Sequence, residues 1–203
     1  MTLALIKYLG LVDYEQTHAA MRAHNRAMTP TSADELWLLE HPPVFTLGLA
    51  GKPEHILNAG DIPVVKIDRG GQVTYHAPGQ LVVYLLLNMR LKKYGVKSLV
   101  NRIEQSIIDL LGEYQIIAVR REAMPGVYVD QAKIAAIGLR VANHATYHGL
   151  ALNIDMELGL FQRINPCGYP DLAVTQMRDL GVTDKMSVIA EKLVTHLKRN
   201  LYD

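Results

Sequence analysis

Residues 81–87 read Leu-Val-Val-Tyr-Leu-Leu-Leu, and residues 97–114 read KSLVNRIEQSIIDLLGEY. From Val82 to Leu87 the first is a continuous apolar run, the signature of a strand buried on both faces. In the second, Leu99, Ile103, Ile107, Leu110, Leu111 and Tyr114 recur at steps of three and four with charges between them, which predicts an amphipathic helix. Towards the N-terminus, Ile62 to Ile67 reads as a strand ending at Arg69-Gly70-Gly71. Glu35–Glu40 and Val44–Leu47 read as strands split by Pro42-Pro43. Tyr14 to Met28 has helical spacing and stops short of Pro30, and Leu3 to Leu9 reads as a first strand. Towards the C-terminus, Ile116–Val119, Val127–Val129, Ile134–Val141 and Tyr147–Ile154 are rich in β-branched residues and read as an antiparallel group. Met186–Leu201 closes the chain as a second amphipathic helix. Strands and helices interleave without strict βαβ alternation and without a linker. The expected fold is one α/β (α+β) domain over residues 1–203, with a mixed, largely antiparallel sheet flanked by helices.

At 203 residues the chain suits one sizeable core. A formal net charge of +1 gives no global basic field, so a nucleic-acid partner is not expected. Leu81–Leu87, the most apolar stretch, is far too short to span a bilayer, and the N-terminus lacks the pattern of a signal peptide. The single cysteine, Cys167, excludes a disulfide framework and suits a reducing compartment, so a cytoplasmic location is expected. Nothing suggests a coiled coil or a long unpaired edge, and a monomer is expected.

Three segments are too polar and glycine-rich for ordinary core. In Arg69-Gly-Gly-Gln-Val-Thr-Tyr-His-Ala-Pro-Gly-Gln80, the glycines let a ligand approach the main chain, and Thr74, Tyr75 and His76 add hydroxyls and an imidazole. The stretch is either a binding wall or a hairpin with a satisfied histidine. It lacks the Gly-Lys-Ser/Thr ending of a phosphate loop. In Gly126 to Gly138, Lys133 enters an apolar strand. It is either a solvent-facing edge lysine or a buried one, whose pKa should then fall and which becomes a candidate base. The third segment joins His148-Gly-Leu-Ala-Leu152 to Asn165-Pro-Cys-Gly168. Cys167 there is an exposed reactive thiol or an inert buried one. His144 and His148 lie four apart on a strand or turn, with no acid suitably spaced, so no metal is expected.

Taken together these segments resemble the lipoyl(octanoyl) transferase family. His41-Pro-Pro-Val-Phe-Thr-Leu-Gly48 is similar to its early His-Pro-Pro turn. Arg69 to His76, Lys133-Ile-Ala-Ala-Ile-Gly138, His148-Gly-Leu-Ala-Leu-Asn153 and Asn165-Pro-Cys-Gly168 resemble its later motifs. One departure is Ala77, where the family usually has glycine; its methyl could narrow an acyl pocket. The resemblance implies a fold shared with the catalytic domains of biotin and lipoate protein ligases. It implies a catalytic pair, Cys167 and Lys133. It implies acyl-chain contacts by Arg69, Gly70, Gly71, Gln72, Val73, Thr74, Tyr75 and His76, by Ala136, Ile137 and Gly138, and by Gly149, Leu150 and Ala151. The implied donor is octanoyl acyl carrier protein. The implied acceptors are the lipoyl domains of 2-oxoacid dehydrogenases and the glycine cleavage H protein. No cofactor is implied. The Ser-Gly-Gly-Gly segment of the ATP-using lipoate ligases is replaced by Arg-Gly-Gly-Gln-Val-Thr.

The chemistry suits the residues. Thioester exchange onto a cysteine keeps the acyl group activated, and the amide product lies downhill, so ATP is not required. A protonated Lys133 beside the sulfur favours the thiolate. Once the sulfur is acylated, the lysine loses its anionic partner and can accept a proton from the incoming amine. Oxyanion donors are expected near Gly70-Gly71 or Cys167-Gly168. His76 either polarises the carbonyl or supports the loop. A basic rim of Arg69, Arg140 and Arg163 is expected to steer acidic partners.

Overall fold

The computed structural model describes residues 4–170 and 172–202. Its elements are β1 (Leu5–Leu11), α1 (Tyr14–Ala27), β2 (Glu35–Glu40), β3 (Val44–Leu47), β4 (Val64–Lys66), β5 (Val73–His76), β6 (Gln80–Leu86), α2 (Val96–Glu113), β7 (Gly126–Val129), β8 (Ala132–Ala142), β9 (Ala145–Asn153) and α3 (Met186–Tyr202). Leu3, where the first strand was expected to begin, lies outside the described residues.

The large sheet runs β1-β2-β6-β9-β8-β7. Only β1 and β2 pair in parallel within it. Period-two alternation splits β6 between two cores. Leu81, Val83 and Leu85 pack with Leu99, Ile103 and Ile107 of α2 and Ile189, Leu193 and Leu197 of α3. Val82, Tyr84 and Leu86 pack on the other face with Met21 of α1 and Trp37. Both faces of β6 are therefore covered, which is why its sequence does not alternate. The start of α1 is fixed by Asp13, whose carboxylate accepts the Gln16 N–H at 2.9 Å.

A second, three-stranded sheet, β4-β3-β5, stands apart from the large one. Phe45, Val73 and Tyr75 give it its own apolar cluster. Of its short strands, β3 and β4 were expected, while β5 was read only as part of the glycine-rich segment, and nothing in the patterning separates these strands from the large sheet. The expected strand Ile116–Val119 does not form. Its side chains do alternate, with Ile117 86 % exposed. The segment meets the outer edge of β7, the last strand of the large sheet, through a single bridge from Val119 to Tyr128. β1 is an exposed edge carrying Leu5, Tyr8 and Leu11 outward, so the absence of an unpaired edge, from which a monomer was expected, does not hold. No helix among the described residues is long and apolar enough to cross a membrane.

Candidate active site

Cys167 sits on a single helical turn, Pro166–Gly168. Asn165 anchors the turn by donating its N–H to the His55 carbonyl at 2.8 Å, and Gly168 closes it with a 2.8 Å bond to the Asn165 carbonyl. Lys133 lies near the start of β8. Past Leu152 the place beside β8 passes from β9 to residues 173–175. There Lys133 N–H donates to the Ala173 carbonyl (2.8 Å) and Thr175 N–H to the Lys133 carbonyl (3.0 Å). The lysine is thus covered from the side and is 4 % exposed, not a solvent-facing edge residue. Its Nζ donates to Cys167 Sγ at 3.0 Å and to the Pro125 carbonyl at 3.2 Å, and lies 5.2 Å from the Tyr128 ring centre.

The expected fall of the Lys133 pKa is not found in this state. Burial pulls it down, but the Cys167 sulfur and the Tyr128 hydroxyl together pull harder the other way, and the lysine stays above its ordinary value. Apolar flanking residues alone misjudge it because the decisive partner is 34 positions away.

The pair opens onto a cavity of about 360 Å³, within the range of small-molecule sites. Arg69, Gly70, Gly71, Gln72, Val73, Thr74 and His76 line it from the glycine-rich segment. Ala136, Ile137 and Gly138 line it from β8, and Gly149, Leu150 and Ala151 from β9. Tyr75 does not. It points to the opposite side of β5 and packs against Phe45 and Phe161, with ring centres at 5.2 and 5.4 Å. The reason is the period-two alternation along β5. Ala77 is also off the wall, buried with Tyr75 and Met156, so its methyl does not narrow the cavity. Tyr14, Val82, Tyr84, Val96, Val100, Met124 and Tyr169 line the cavity too and were not singled out from sequence. Their apolar or aromatic character is equally that of core.

Arg69 is buried and cannot form a rim. Its Nη2 donates to the Thr46 carbonyl (2.8 Å) and hydroxyl (3.0 Å), its Nη1 to the Gly70 carbonyl (3.0 Å), and its buried Nε has no partner among the described residues. Burial pulls its pKa below the usual value. Arg163 lies beside residues 57–58, off the cavity, and Arg140 is exposed on β8. His76 is a support. Its Nδ1 meets Gln80 Oε1 at 2.7 Å and its Nε2 faces the Thr46 hydroxyl at 3.5 Å, and burial lowers its pKa to about 3. Neutral imidazole then relays order from Gln80 through Thr46 to Arg69. Among the expected oxyanion donors, the Gly70 N–H is taken by the Leu139 carbonyl and the Gly168 N–H by Asn165. The Gly71 N–H has no partner among the described residues.

His18, Asp68 and His148 bring three potential metal donors within 4.8 Å of one another. The donors are already committed. Asp68 Oδ1 accepts from His18 and His148 at 3.0 and 3.1 Å, and Oδ2 from the Tyr147 hydroxyl. These bonds outweigh burial and hold the Asp68 carboxyl well below the usual carboxylate range. Burial lowers the His148 pKa to about 4. The group reads as a brace joining α1 and β9 to the start of the Arg69 segment. Asp68 was missed in the sequence although it directly precedes Arg69.

Comparison with known proteins gives concordant matches. Residues 13–198 match the family model described as lipoyl protein ligase A/B catalytic domain. An octanoyltransferase of Laribacter hongkongensis is 58 % identical over 196 residues, covering 97 % of this chain and 95 % of the relative. One of Chromobacterium violaceum is 59 % identical over 197 residues, with the same coverage. Among solved structures, lipoate-protein ligase A bound with ATP superposes with a TM-score of 0.83 at 14 % identity, over 99 % of this chain and 86 % of that one. Biotin protein ligase from Aquifex aeolicus gives 0.60 at 13 %, over 98 % and 69 %. At those identities the structural likeness speaks to fold alone.

Proposed function

For a chain that belongs to the lipoyl protein ligase A/B catalytic-domain family, and within it is an acyltransferase of the octanoyltransferase group, we propose a ping-pong transfer through Cys167. The observation that carries this reading is the 3.0 Å contact from Lys133 Nζ to Cys167 Sγ at the wall of the cavity. In the first half-reaction the thiolate attacks the thioester carbonyl of octanoyl acyl carrier protein. The carbon–sulfur bond to the phosphopantetheine arm breaks, and the arm leaves as a thiol with a proton from Lys133. In the second, the amine of a lipoyl-domain lysine attacks the acyl-Cys167 thioester, passes a proton to Lys133 and departs as the amide, the carbon–sulfur bond breaking to regenerate the Cys167 thiolate beside the Lys133 ammonium. Acylation removes the anion that does most to hold Lys133 above its ordinary value and leaves burial opposed only by the Tyr128 hydroxyl, so the residue is a better base when the amine arrives.

The chain would lie along Ala136, Ile137, Leu150 and Ala151. Six methylenes buried at ~0.8 kcal/mol each supply roughly 5 kcal/mol before losses. One methylene more or less changes selectivity by about 1–3 kcal/mol, so octanoyl preference is graded. The Gly71 and Cys167 N–H groups, which have no partner among the described residues, are the backbone donors for the oxyanion. The reaction needs no cofactor and suits the cytoplasm, where both protein partners would be met.

Intact-protein mass spectrometry with octanoyl acyl carrier protein and no ATP tests this. Wild type is expected to gain one octanoyl group and to pass it to an added lipoyl domain, while Cys167→Ala gains none. Transfer only when free octanoic acid and ATP are supplied would replace this reading with that of a ligase.

A further inference from the structure

We infer that Glu104 is a positioning residue for Lys133: it clamps the turn at Pro125–Gly126, whose Pro125 carbonyl holds the lysine ammonium against Cys167. The inference rests on the acyl-enzyme reading above and adds a residue that does not touch the cavity. Glu104 lies on α2 among the buried apolar residues Ile103, Ile107 and Leu111, and is only 3 % exposed. A carboxylate is costly in such a stripe unless its oxygens are used. Both are. Oε1 accepts the Gly126 N–H at 3.0 Å, and Oε2 faces Arg120 Nε at 3.3 Å. Burial raises its carboxyl pKa, while the Gly126 N–H, Arg120 and Lys133 pull it back.

The turn held by Glu104 rests directly on the end of the lysine. A Cβ placed on Gly126 would meet Lys133 Cε at 3.1 Å and Nζ at 3.3 Å, and the Ala135 carbonyl at 2.7 Å. Gly126 itself sits at φ +141°, which few other residues adopt. There is thus no slack between turn and ammonium. Of the three Lys133 N–H bonds, one goes to Pro125 and one to Cys167, and the Tyr128 hydroxyl also acts on the ammonium. Freeing the turn removes the Pro125 acceptor and lets Nζ drift from the sulfur. The titratable groups set around Lys133 are Cys167 from the 166–168 turn, Tyr128 from β7 and Glu104 from α2.

Three variants separate positioning from stability. Glu104→Ala removes the clamp, Glu104→Gln keeps an acceptor for the Gly126 N–H but not the charge, and Arg120→Gln breaks only the outer ion pair. Rapid-quench mass spectrometry gives the rate of Cys167 octanoylation and the donor KM. Glu104→Ala is expected to lose about ten- to a hundredfold in rate, as for a displacement of roughly 1 Å. KM should change less than the rate, because the freed turn brings Met124 and Pro125 to the cavity while the walls from β8, β9 and the 69–76 segment stay in place. Glu104→Gln should recover most of the rate, with the limb of the pH profile due to Lys133 moved to lower pH, since an anion favouring the ammonium is gone. Arg120→Gln should match wild type. A folded Glu104→Ala as fast as wild type overturns the inference while wild type still acylates. If Glu104→Ala does not fold, Glu104→Met takes its place, filling the same space with no strong acceptor for the Gly126 N–H, and wild-type speed in that variant overturns the inference. A wild type that never acylates Cys167 removes the acyl-enzyme reading itself, and this inference with it.

Discussion

Cys167 lies in the left-handed region, at φ 57° and ψ 18°, and hands the chain to Gly168 at φ 78°. For an L-residue that conformation costs about 1–2 kcal/mol, because Cβ crowds the carbonyl. The surrounding bonds from Asn165 and His55 hold it there and turn the sulfur towards Lys133. Strain kept at one residue is a means of aiming a nucleophile. Cys167→Gly should therefore be more stable than Cys167→Ala by about 1 kcal/mol in urea unfolding, although glycine ordinarily destabilises folded chains relative to alanine. Equal stability would show the turn to be unstrained. The Pro-Cys-Gly sequence marked the thiol as a loop residue with a flexible successor. It could not report the left-handed angle, which depends on contacts from residue 55. Glu104 shows the opposite case. A lone acid inside the helical apolar stripe of α2 is a legible signal, but its partner Gly126 is remote in sequence, so its role is not.

Strands β6 and β9 carry the floor of the cavity, and their separation is set at Gly149. A Cβ there would lie 2.0 Å from the Val83 carbonyl oxygen and 2.6 Å from Leu85 Cδ1. The obstacle is backbone in the middle of a sheet, so a rotamer change cannot relieve it. Gly149→Ala should force β9 away from β6 and lose about 1–3 kcal/mol or more, as overpacking does. Donor KM should rise as well, since Leu150 and Ala151 line the cavity. An alanine variant with unchanged urea midpoint would mean that the strands part without cost. At this scale the sequence was legible wherever periodicity is local. All three helices and the strands of the large sheet stand within a few residues of their expected positions. It failed at Ile116–Val119, where alternation was present but pairing stops at one bridge to Tyr128, and at the small sheet, whose separateness is a matter of pairing between distant strands. Side-chain direction also escaped in part. Alternation along β5 places Thr74 and His76 on the cavity and Tyr75 away from it, and that follows only once Val73–His76 is known to be a strand.

Across the whole molecule, the cavity wall and the histidines behind it form one polar layer between α1, β5, β6 and β9. His76 and His148 are buried there and held neutral, with pKa values of about 3 and about 4, and burial lowers His41 as well. An unfolded chain protonates the same side chains near pH 6.5. Below that pH the unfolded state binds more protons than the folded one, so stability falls with acidification. The loss begins near pH 6.5 and continues until the folded values are reached. Asp68, with its depressed carboxyl, acts in the same direction but only below about pH 4, once unfolded carboxylates protonate. Glu104 acts oppositely, because its raised carboxyl favours the folded state as protons are added. Between pH 6.5 and 5 the histidines dominate, at roughly 1–2 kcal/mol each. The urea midpoint should therefore drop clearly from pH 7 to pH 5, and His76→Gln should show a shallower drop than wild type whatever its starting stability. A midpoint that stays level from pH 7 to 5 would mean that these imidazoles accept protons without leaving the fold, and that the link from Gln80 through His76 and Thr46 to Arg69 does not depend on a neutral ring.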